Sequence, residues 1–323
     1  MLTLVLVACT PENDLQRADV TETFVQEGTD QVDVLWVVDD SISMSEEQGL
    51  VAQGFDRFVS ALAEEGGELD LHIGVVTTDM DRANETRGDL VGEPKWLSGT
   101  EPDFQDQFRA RVSVGTGGSD MEQGLAAAWS AVSSALLGGT NEGFMREDAN
   151  LAVIFVSDEN DCSHGGEFPD DGEASLCYDR QADLVPVQDF VLKLAQAPEG
   201  EGRTVASAIV GPEADVGCET ATPGHRYTTV ADKLNGVAGD ICETDYDALL
   251  DGVARQIVAP MHAFPLEHRA MEETLEVTVD GALVPMDPES GWWYDADYQT
   301  VRFDGAVVPD YGAVIEIYYV ISA

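Results

Sequence analysis

The chain is poor in positive charge. Its 323 residues include 62 acidic side chains against 16 basic ones, which gives a formal net charge of -46. Lysine occurs only as Lys95, Lys193 and Lys233. A surface of this charge repels nucleic acid phosphates and anionic membranes, so neither is expected as a partner, whereas cations are attracted. Because the acidic residues recur along the whole chain and form no acidic tail, we interpret most of them as a solvated surface suited to a saline habitat.

Motifs of several enzyme classes are also missing. The sequence contains no Walker loop and no H-E-x-x-H motif. The segment Gly117–Met121 lacks the final glycine of the nucleophile elbow of α/β hydrolases. The five histidines are scattered along the chain, which favours structural roles over catalysis. We therefore expect a protein that is not an enzyme.

No apolar run is long enough to span a bilayer. Met1–Ala8 is too short for that and directly precedes Cys9. This arrangement resembles the signal segment and lipobox of a bacterial lipoprotein, in which the cysteine is lipidated; the alternative is an apolar N terminus without that role. We interpret residues 1–8 as the signal segment and residues 9–30 as a tether with one possible strand, Thr21–Gln26. The protein would then be exported and held in the cell envelope by its lipid chains. Thr10 is not an aspartate, which favours the outer membrane.

Four further cysteines indicate two disulfides, since an even number in an exported chain is typical of a disulfide framework. Four cysteines allow three pairings. We expect sequential pairing, because each consecutive pair brackets one loop rich in Gly and Asp. A zinc site that uses the first two cysteines and His164 is the alternative, but the sequence has no C-x-x-C spacing to support it. The expected disulfides are Cys162–Cys177 and Cys218–Cys242.

Four near-continuous apolar runs rich in Val, Ile and Leu indicate strands that are buried on both faces. Amphipathic helical patterns alternate with them, for example in residues 183–195 and 246–258. This alternation predicts an α/β fold with a doubly wound, mostly parallel sheet over residues 31–262. Ligands of such sheets bind beyond the carboxyl ends of the strands. The four runs are Val32–Val38, Leu71–Thr77, Leu151–Val156 and Thr204–Val210.

The pattern changes in the last part of the chain, residues 263–323. Short β-branched and aromatic segments, such as Thr274–Val279 and Val314–Val320, alternate with turn signals. We expect a small antiparallel β domain there. Thr21–Gln26 has no evident place in the parallel sheet, so we expect it to pair with this β domain.

A compact set of oxygen donors follows the first apolar run. Asp39, Ser41 and Ser43 form a D-x-S-x-S motif between that run and an amphipathic helix. Alternate residues of such a turn can direct one carboxylate and two hydroxyls at one point. These ligands suit a hard cation such as Mg²⁺ or Ca²⁺, with water completing the coordination. The motif therefore predicts a site for a divalent metal.

The motif and its context resemble the metal-ion-dependent adhesion site of the von Willebrand factor type A family. The stretch DVLWVVDDSISMSEEQ resembles bacterial envelope lipoproteins of that family. The resemblance covers residues 32–258 and implies a Rossmann-like fold with two further ligand loops. In the second loop Ser119 takes the place of the family's threonine, with the family's spacing to a following Gly-Leu pair. In the third loop Asp158 matches the family's second aspartate, and we expect Glu159 and Asp161 to be solvated loop acids.

Some positions depart from the family pattern or allow other interpretations. Ile42 stands where the family usually has glycine, and Asp40 adds an acid that could strengthen metal binding or face solvent. Ser119 and Glu122 could form only a helix capping box. Thr116 is the alternative ligand from this loop.

The resemblance implies metal-dependent adhesion on the bacterial cell envelope. A Mg²⁺ ion, or Mn²⁺ or Ca²⁺ in its place, would bind a carboxylate presented by a protein or another surface ligand. The metal would remove the repulsion between this acidic face and an acidic partner. One alternative is a structural envelope protein whose metal only stabilises the loops, and a less favoured one is a metal-dependent hydrolase. The residues expected to hold the metal are Asp39, Ser41, Ser43, Ser119 and Asp158.

Overall fold

The computed structural model describes most of the chain. The predicted signal segment, residues 1–8, and the predicted lipidation site, Cys9, lie outside the described residues. Both therefore stay predictions. The described residues are 18–26, 30–66, 69–80, 87–169, 174–197, 203–213, 218, 221–259, 263–288, 290–296, 298–303, 308–309 and 312–321.

The described residues form strands, α-helices and short 3-10 turns. The strands are β1 (Asp19–Val25), β2 (Gln31–Val38), β3 (Asp70–Thr77), β4 (Leu97–Ser98), β5 (Asn150–Ser157), β6 (Thr204–Val210), β7 (Asn235–Asp240), β8 (Ala263–Pro265), β9 (Glu276–Val279), β10 (Ala282–Val284), β11 (Trp292–Asp295), β12 (Thr300–Phe303) and β13 (Val314–Val320). The α-helices are α1 (Ser45–Gly66), α2 (Phe104–Val112), α3 (Gly124–Ala131), α4 (Ser134–Leu137), α5 (Ser175–Asp179), α6 (Val187–Ala195), α7 (His225–Lys233) and α8 (Asp247–Val258). The 3-10 turns are Ile42–Met44, Gln181–Asp183 and Glu272–Thr274.

A six-stranded sheet has the order β4-β3-β2-β5-β6-β7. Strand β2 pairs in parallel with β3 and β5, and β6 pairs in parallel with β5 and β7. Strand β4 runs antiparallel to β3 at the edge. The carboxyl ends of β2, β3 and β5 therefore lie at one edge of the sheet.

Helices cover both faces of this sheet. Side chains of β2 alternate between the faces: Trp36 packs against Phe55 and Phe58 of α1, whereas Leu35 lies in the other core with Tyr227 of α7. Because both faces are covered, a strand in the middle of the sheet is apolar at almost every position. None of the described helices is long and apolar enough to cross a membrane.

Two antiparallel sheets form a separate core. One has the order β1-β13-β9-β10 and the other has the order β11-β12-β8. Side chains from both sheets share one apolar cluster, in which Ile315 and Ile317 of β13 meet Val301 of β12 and Trp292 of β11. The two sheets therefore stabilise each other by burying their apolar faces.

The predicted fold class is wrong. The chain as a whole is not a doubly wound, mostly parallel α/β fold of the Rossmann-like von Willebrand type with only a small C-terminal β domain added to it. Its largest sheet is mixed, and two antiparallel sheets hold seven of the thirteen described strands, one of them from near the N terminus. The sequence interpretation gave most weight to long apolar runs. It therefore missed β4, which has two residues. It also underestimated how much of the chain belongs to the short strands of alternating burial that build the antiparallel sheets.

The pairing expected for the N-terminal strand is confirmed. Strand β1 pairs antiparallel with β13 from Asp19↔Val320 to Val25↔Val314. The exposure of its side chains alternates along the strand. The ring of Phe24 packs edge to face on that of Phe264 in the shared core, with the ring centroids 5.6 Å apart. The six-stranded sheet is therefore inserted in sequence between two parts of the antiparallel unit.

Both expected disulfides are present. Cys162 is bonded to Cys177, and Cys218 is bonded to Cys242. The alternative zinc site is excluded, because Cys162 and Cys177 are joined to each other and cannot act as thiolates. Disulfides of this kind are typical of proteins that fold in an oxidising compartment.

A buried ion pair closes the amino-terminal end of the six-stranded sheet. Asp33 in β2 is 0% exposed and accepts hydrogen bonds from the backbone amide of Arg146 at 2.7 Å and from its Nε at 2.8 Å. Nη2 of Arg146 donates to the carbonyl of Asp70 at 2.8 Å. Burial raises the pKa of Asp33 to about 6, because its effect is larger than the opposing effect of the hydrogen bonds and charge of Arg146.

Candidate metal-binding site

The carboxyl ends of β2 and β5 bring two predicted ligands to one edge of the sheet. Asp39 follows β2, and Asp158 follows β5. The two strands are parallel neighbours with Val38 opposite Val156, and the amide of Asp39 donates to the carbonyl of Val156 at 3.0 Å. The register of the sheet therefore places both acids on the same side of the molecule.

Hydrogen bonds gather four of the predicted ligands. Asp39 Oδ1 accepts the amide of Ser41 at 2.7 Å, and Oδ2 accepts the hydroxyl of Ser157 at 2.6 Å. The hydroxyls of Ser41 and Ser43 lie 3.2 Å apart. The hydroxyl of Ser43 also bonds to the carboxylate of Asp158, which lowers the pKa of that acid against the effect of burial. Ser43 is exposed whereas Asp39 is fully buried, so the group opens to solvent on the side of Ser43.

Gln48 in the first turn of α1 ties this loop to the second one. Its Nε2 donates to the carbonyls of Asp39 at 2.9 Å and Gly115 at 2.8 Å. The amide of Gly118 donates to the carbonyl of Asp40 at 2.9 Å, and a side chain at Gly118 would collide with the Asp40 carboxylate. The second loop is therefore packed directly on the first.

Ser119 is used within its own loop. Its hydroxyl accepts the amide of Met121 at 3.1 Å. The alternative interpretation of Ser119 and Glu122 as a capping box is wrong, because α3 begins only at Gly124 and its N-cap is Gln123. Ser119 as a metal ligand stays a prediction.

Glu122 lies in the site, which the sequence interpretation missed. It is 1% exposed, and its Oε2 accepts a hydrogen bond from the hydroxyl of Thr78, the residue after β3. Its Oε1 has no hydrogen-bond partner among the described residues. Burial, followed by the charge of Asp39 and then that of Asp40, raises its pKa well above the ordinary range. The sequence signal was its position next to the predicted second loop, but we considered it only as a cap.

Five acids form what we call the acidic cluster: Asp39, Asp40, Glu122, Asp158 and Glu159. Burial raises the pKa of every one of them, and repulsion by neighbouring acids adds to it for all but Asp39, whose pKa is lowered by its hydrogen bonds. The pKa of Asp158 rises to about 6, and the pKa values of Asp40 and Glu159 rise to about 7. A bound cation would offset this repulsion, because it favours the ionised form of each neighbouring acid.

The donors fit a hard divalent cation. Carboxylates and hydroxyls are the oxygen ligands that Mg²⁺, Mn²⁺ and Ca²⁺ prefer. Buried carboxylate oxygens are also available, since several lack a hydrogen-bond partner among the described residues. These atoms are Asp40 Oδ1, Glu47 Oε2, Glu122 Oε1 and Asp158 Oδ1.

The spacing of the acids limits how such a cation could be held. Among the described residues, only Cys218, Asp240 and Cys242 bring three His, Cys, Asp or Glu ligand atoms within 4.8 Å of one another. Those cysteines are joined in a disulfide. The acidic cluster does not bring three carboxylates that close, so a cation there needs hydroxyls and water beside its carboxylates.

Two acids of the third loop differ from the solvated state expected for them. Asp161 is 1% exposed and accepts the amide of Leu125 at 2.9 Å and Nε of Arg226 at 2.9 Å. Asp161 therefore fixes the start of α3 against the third loop. Glu159 is only partly exposed and belongs to the acidic cluster.

Ile42 lies on the open side of the site. Between Ser41 and Ser43 in sequence, its side chain is 80% exposed. The side chain adds apolar surface beside the predicted ligands Ser41 and Ser43.

No protein-family model and no curated protein sequence matches the chain. Among solved structures it is similar to proximal thread matrix protein 1 from the mussel byssus, with 14% identity and a TM-score of 0.38 over 75% of this chain and 51% of that chain. It is also similar to the pilus adhesin SpaC from Lactobacillus rhamnosus GG in an open conformation, with 12% identity and a TM-score of 0.38 over 94% of this chain and 40% of that chain. A third similar structure is the pilus adhesin RrgA from Streptococcus pneumoniae, with 9% identity and a TM-score of 0.38 over 94% of this chain and 57% of that chain. The chain thus spans about half the length of these proteins.

Proposed function

We propose that this chain is a non-enzymatic binding protein of the bacterial cell surface that recognises an acidic group of its partner through a divalent cation. The cation, Mg²⁺ or in its place Mn²⁺ or Ca²⁺, is held at the end of β2. Export is supported by the two disulfides, and lipid anchoring at Cys9 in the outer membrane belongs to the same proposal.

One observation carries the proposal: Asp39, Ser41, Ser43 and Asp158 meet at one edge of the sheet, within a buried acidic cluster. A group of buried acids without a counter-ion is unfavourable, since each charge loses hydration and repels its neighbours. A cation reverses both effects. The residues that would hold it are these four, with Ser119 as a further predicted ligand.

The open side of the site determines what the cation could do. Ser43 and Ile42 face solvent, so a ligand can approach there. When bound, the cation supplies a positive charge that attracts a carboxylate of the partner in spite of the net charge of -46. Ile42 would add an apolar contact beside that carboxylate.

Metal binding is tested by calorimetry with MnCl₂ and MgCl₂ on the wild type, Asp158→Asn and Asp120→Asn. Asparagine at 158 keeps the size of the side chain and its bond to Ser43 but removes the charge, so we expect metal affinity to fall at least about tenfold. Asp120 is exposed in the second loop, and its replacement removes one charge near the site without removing a buried donor. Asp120→Asn should therefore bind nearly as the wild type does.

Wild-type protein that binds neither ion, or equal affinity in the wild type and Asp158→Asn, would contradict the metal site. Adhesion is tested by capture of envelope components in Mg²⁺ and in EDTA. Capture that requires Mg²⁺ and is lost in Asp158→Asn supports adhesion. Metal binding with capture that ignores EDTA would instead support the structural role of the metal.

A further inference from the structure

Glu122 is a buried acid whose charge is not balanced by its described contacts. It is 1% exposed, one oxygen accepts the hydroxyl of Thr78, and the other oxygen has no hydrogen-bond partner among the described residues. Asp39 and Asp40 repel its ionised form, and its carboxyl lies within hydrogen-bonding reach of the Asp39 carboxylate. A hydroxyl donor cannot neutralise a carboxylate, so this environment disfavours the ion.

The backbone around Glu122 holds the side chain in this place. The amide of Gln123 donates to the carbonyl of Thr78 at 3.1 Å, and the amide of Cys162 donates to the carbonyl of Glu122 at 2.5 Å. The residue is thus bound on one side to the end of β3 and on the other to the disulfide-bonded third loop. These contacts hold the carboxyl of Glu122 beside Asp39, where one cation would meet both carboxylates.

We infer that Glu122 is a direct ligand of the divalent cation and that it, rather than Ser119, is the ligand that the second loop supplies. This inference rests on the proposed function. Oε1 of Glu122 has no hydrogen-bond partner among the described residues and belongs to a carboxyl beside Asp39, whereas one of the two lone pairs of the Ser119 hydroxyl is taken by the amide of Met121. Because no three of the described acids converge within 4.8 Å, the cation takes the carboxylates of Asp39 and Glu122 directly and reaches Asp158 through water, with hydroxyls and water as its other ligands.

The exchange of a hydroxyl for a carboxylate changes the chemistry of the site. Affinity for divalent cations rises with the charge of the ligand set. A second carboxylate also leaves less net positive charge at the cation for a partner to meet. The site should therefore bind its metal more tightly, and attract a partner carboxylate less strongly, than a site with a hydroxyl in that position.

The inference is tested on the full chain with Glu122→Gln, Glu122→Asp and Ser119→Ala. Affinity for Mn²⁺ is measured by calorimetry, and the melting temperature Tm is measured in EDTA and in MnCl₂. Glutamine keeps the size of the side chain and the bond to Thr78 but carries no charge. We expect Glu122→Gln to lower Mn²⁺ affinity at least about tenfold and to reduce the rise in Tm that MnCl₂ produces.

The other variants separate charge from packing. Glu122→Asp keeps the charge at a shorter reach and should retain more Mn²⁺ affinity than Glu122→Gln, and Ser119→Ala should bind Mn²⁺ as the wild type does. Equal affinity in the wild type and Glu122→Gln, or a loss confined to Ser119→Ala, would overturn the inference while leaving the metal site in place. A lower Tm of Glu122→Gln in EDTA together with unchanged affinity would assign the residue a structural role. Failure of the wild type to bind Mn²⁺ would refute the proposed function itself.

Discussion

Removal of Arg146 should reveal how costly the buried carboxylate of Asp33 is. Asp33 is 0% exposed, and three effects of Arg146 lower its pKa: a backbone hydrogen bond, the charge, and a side-chain hydrogen bond. Arg146→Met keeps an apolar stem and the backbone donor to Asp33 but removes the charge. Loss of one partner of a buried ion pair costs about 3–5 kcal/mol. We expect the free energy of unfolding at pH 8 to fall by this amount.

The loss should become smaller as the pH falls. In the wild type the folded-state pKa of Asp33 is about 6, above the unfolded value of about 3.9. The contribution of Asp33 to stability is therefore fully present when the pH is below the pKa of the unfolded state. It is lost as the pH rises through the folded-state pKa. Without Arg146 the folded-state pKa rises further, and each additional unit adds about 1.4 kcal/mol to the loss at high pH. The difference between the wild type and Arg146→Met should thus be about 1–3 kcal/mol smaller at pH 5 than at pH 8.

Urea unfolding in EDTA at pH 5 and pH 8, with the disulfides intact, measures both effects. Arg109→Met is the matched control: Arg109 pairs with Asp56 and Asp106 at the surface, where its side chain is 32% exposed. Its loss should cost less than about 1 kcal/mol and should not depend on pH. An equal loss for Arg146→Met at the two pH values, or a loss no larger than that of the control, would refute this reasoning.

Two further predictions concern the third loop and the N-terminal strand. Replacing Cys162 and Cys177 by alanine opens a loop of sequence separation 15 and should lower the free energy of unfolding by about 3 kcal/mol. It should also weaken Mn²⁺ binding, because the disulfide fixes the loop whose Cys162 amide donates to the carbonyl of Glu122. Unchanged thermal unfolding and calorimetry would count against that link. Deletion of residues 10–26 should speed hydrogen exchange in β13 and leave β2 unaffected, because β1 pairs with β13 alone. If exchange in β13 does not change, the shared antiparallel unit does not stabilise that strand.

The apolar core of the six-stranded sheet could be predicted from the sequence. The run Thr204–Val210 matches β6 in full, and Val32–Val38 falls one residue short of β2. Burial on both faces makes such strands apolar at almost every position, which is a strong local signal. Strand β7 was missed because it contains two glycines and is only partly buried, so its pairing with β6 depends on the whole sheet.

The candidate site was predicted where its residues follow a strand directly. Asp39 and Asp158 are adjacent to buried strands, so the direction of each strand determines where the acid lies. Glu122 and Asp161 lie in loops, and their burial depends on contacts with residues distant in sequence: Thr78 for Glu122 and Arg226 for Asp161. Local patterns carry no information on such contacts. For that reason Glu122 was interpreted as a cap and Asp161 as a solvated acid.

The pairing of β1 with β13 also has a mechanical consequence. The chain passes from β1 into β2 within a few residues, and Asp39 follows β2 directly. A pull applied between the segment before Asp19 and a partner held at Asp39 would therefore travel along the covalent backbone of these two strands. The rest of the antiparallel unit, from β8 to β13, lies outside this load path. Tension would stretch β2 along its axis while β3 and β5 support it on both sides, so force would pass from the segment before Asp19 to Asp39 without separating the two sheet systems.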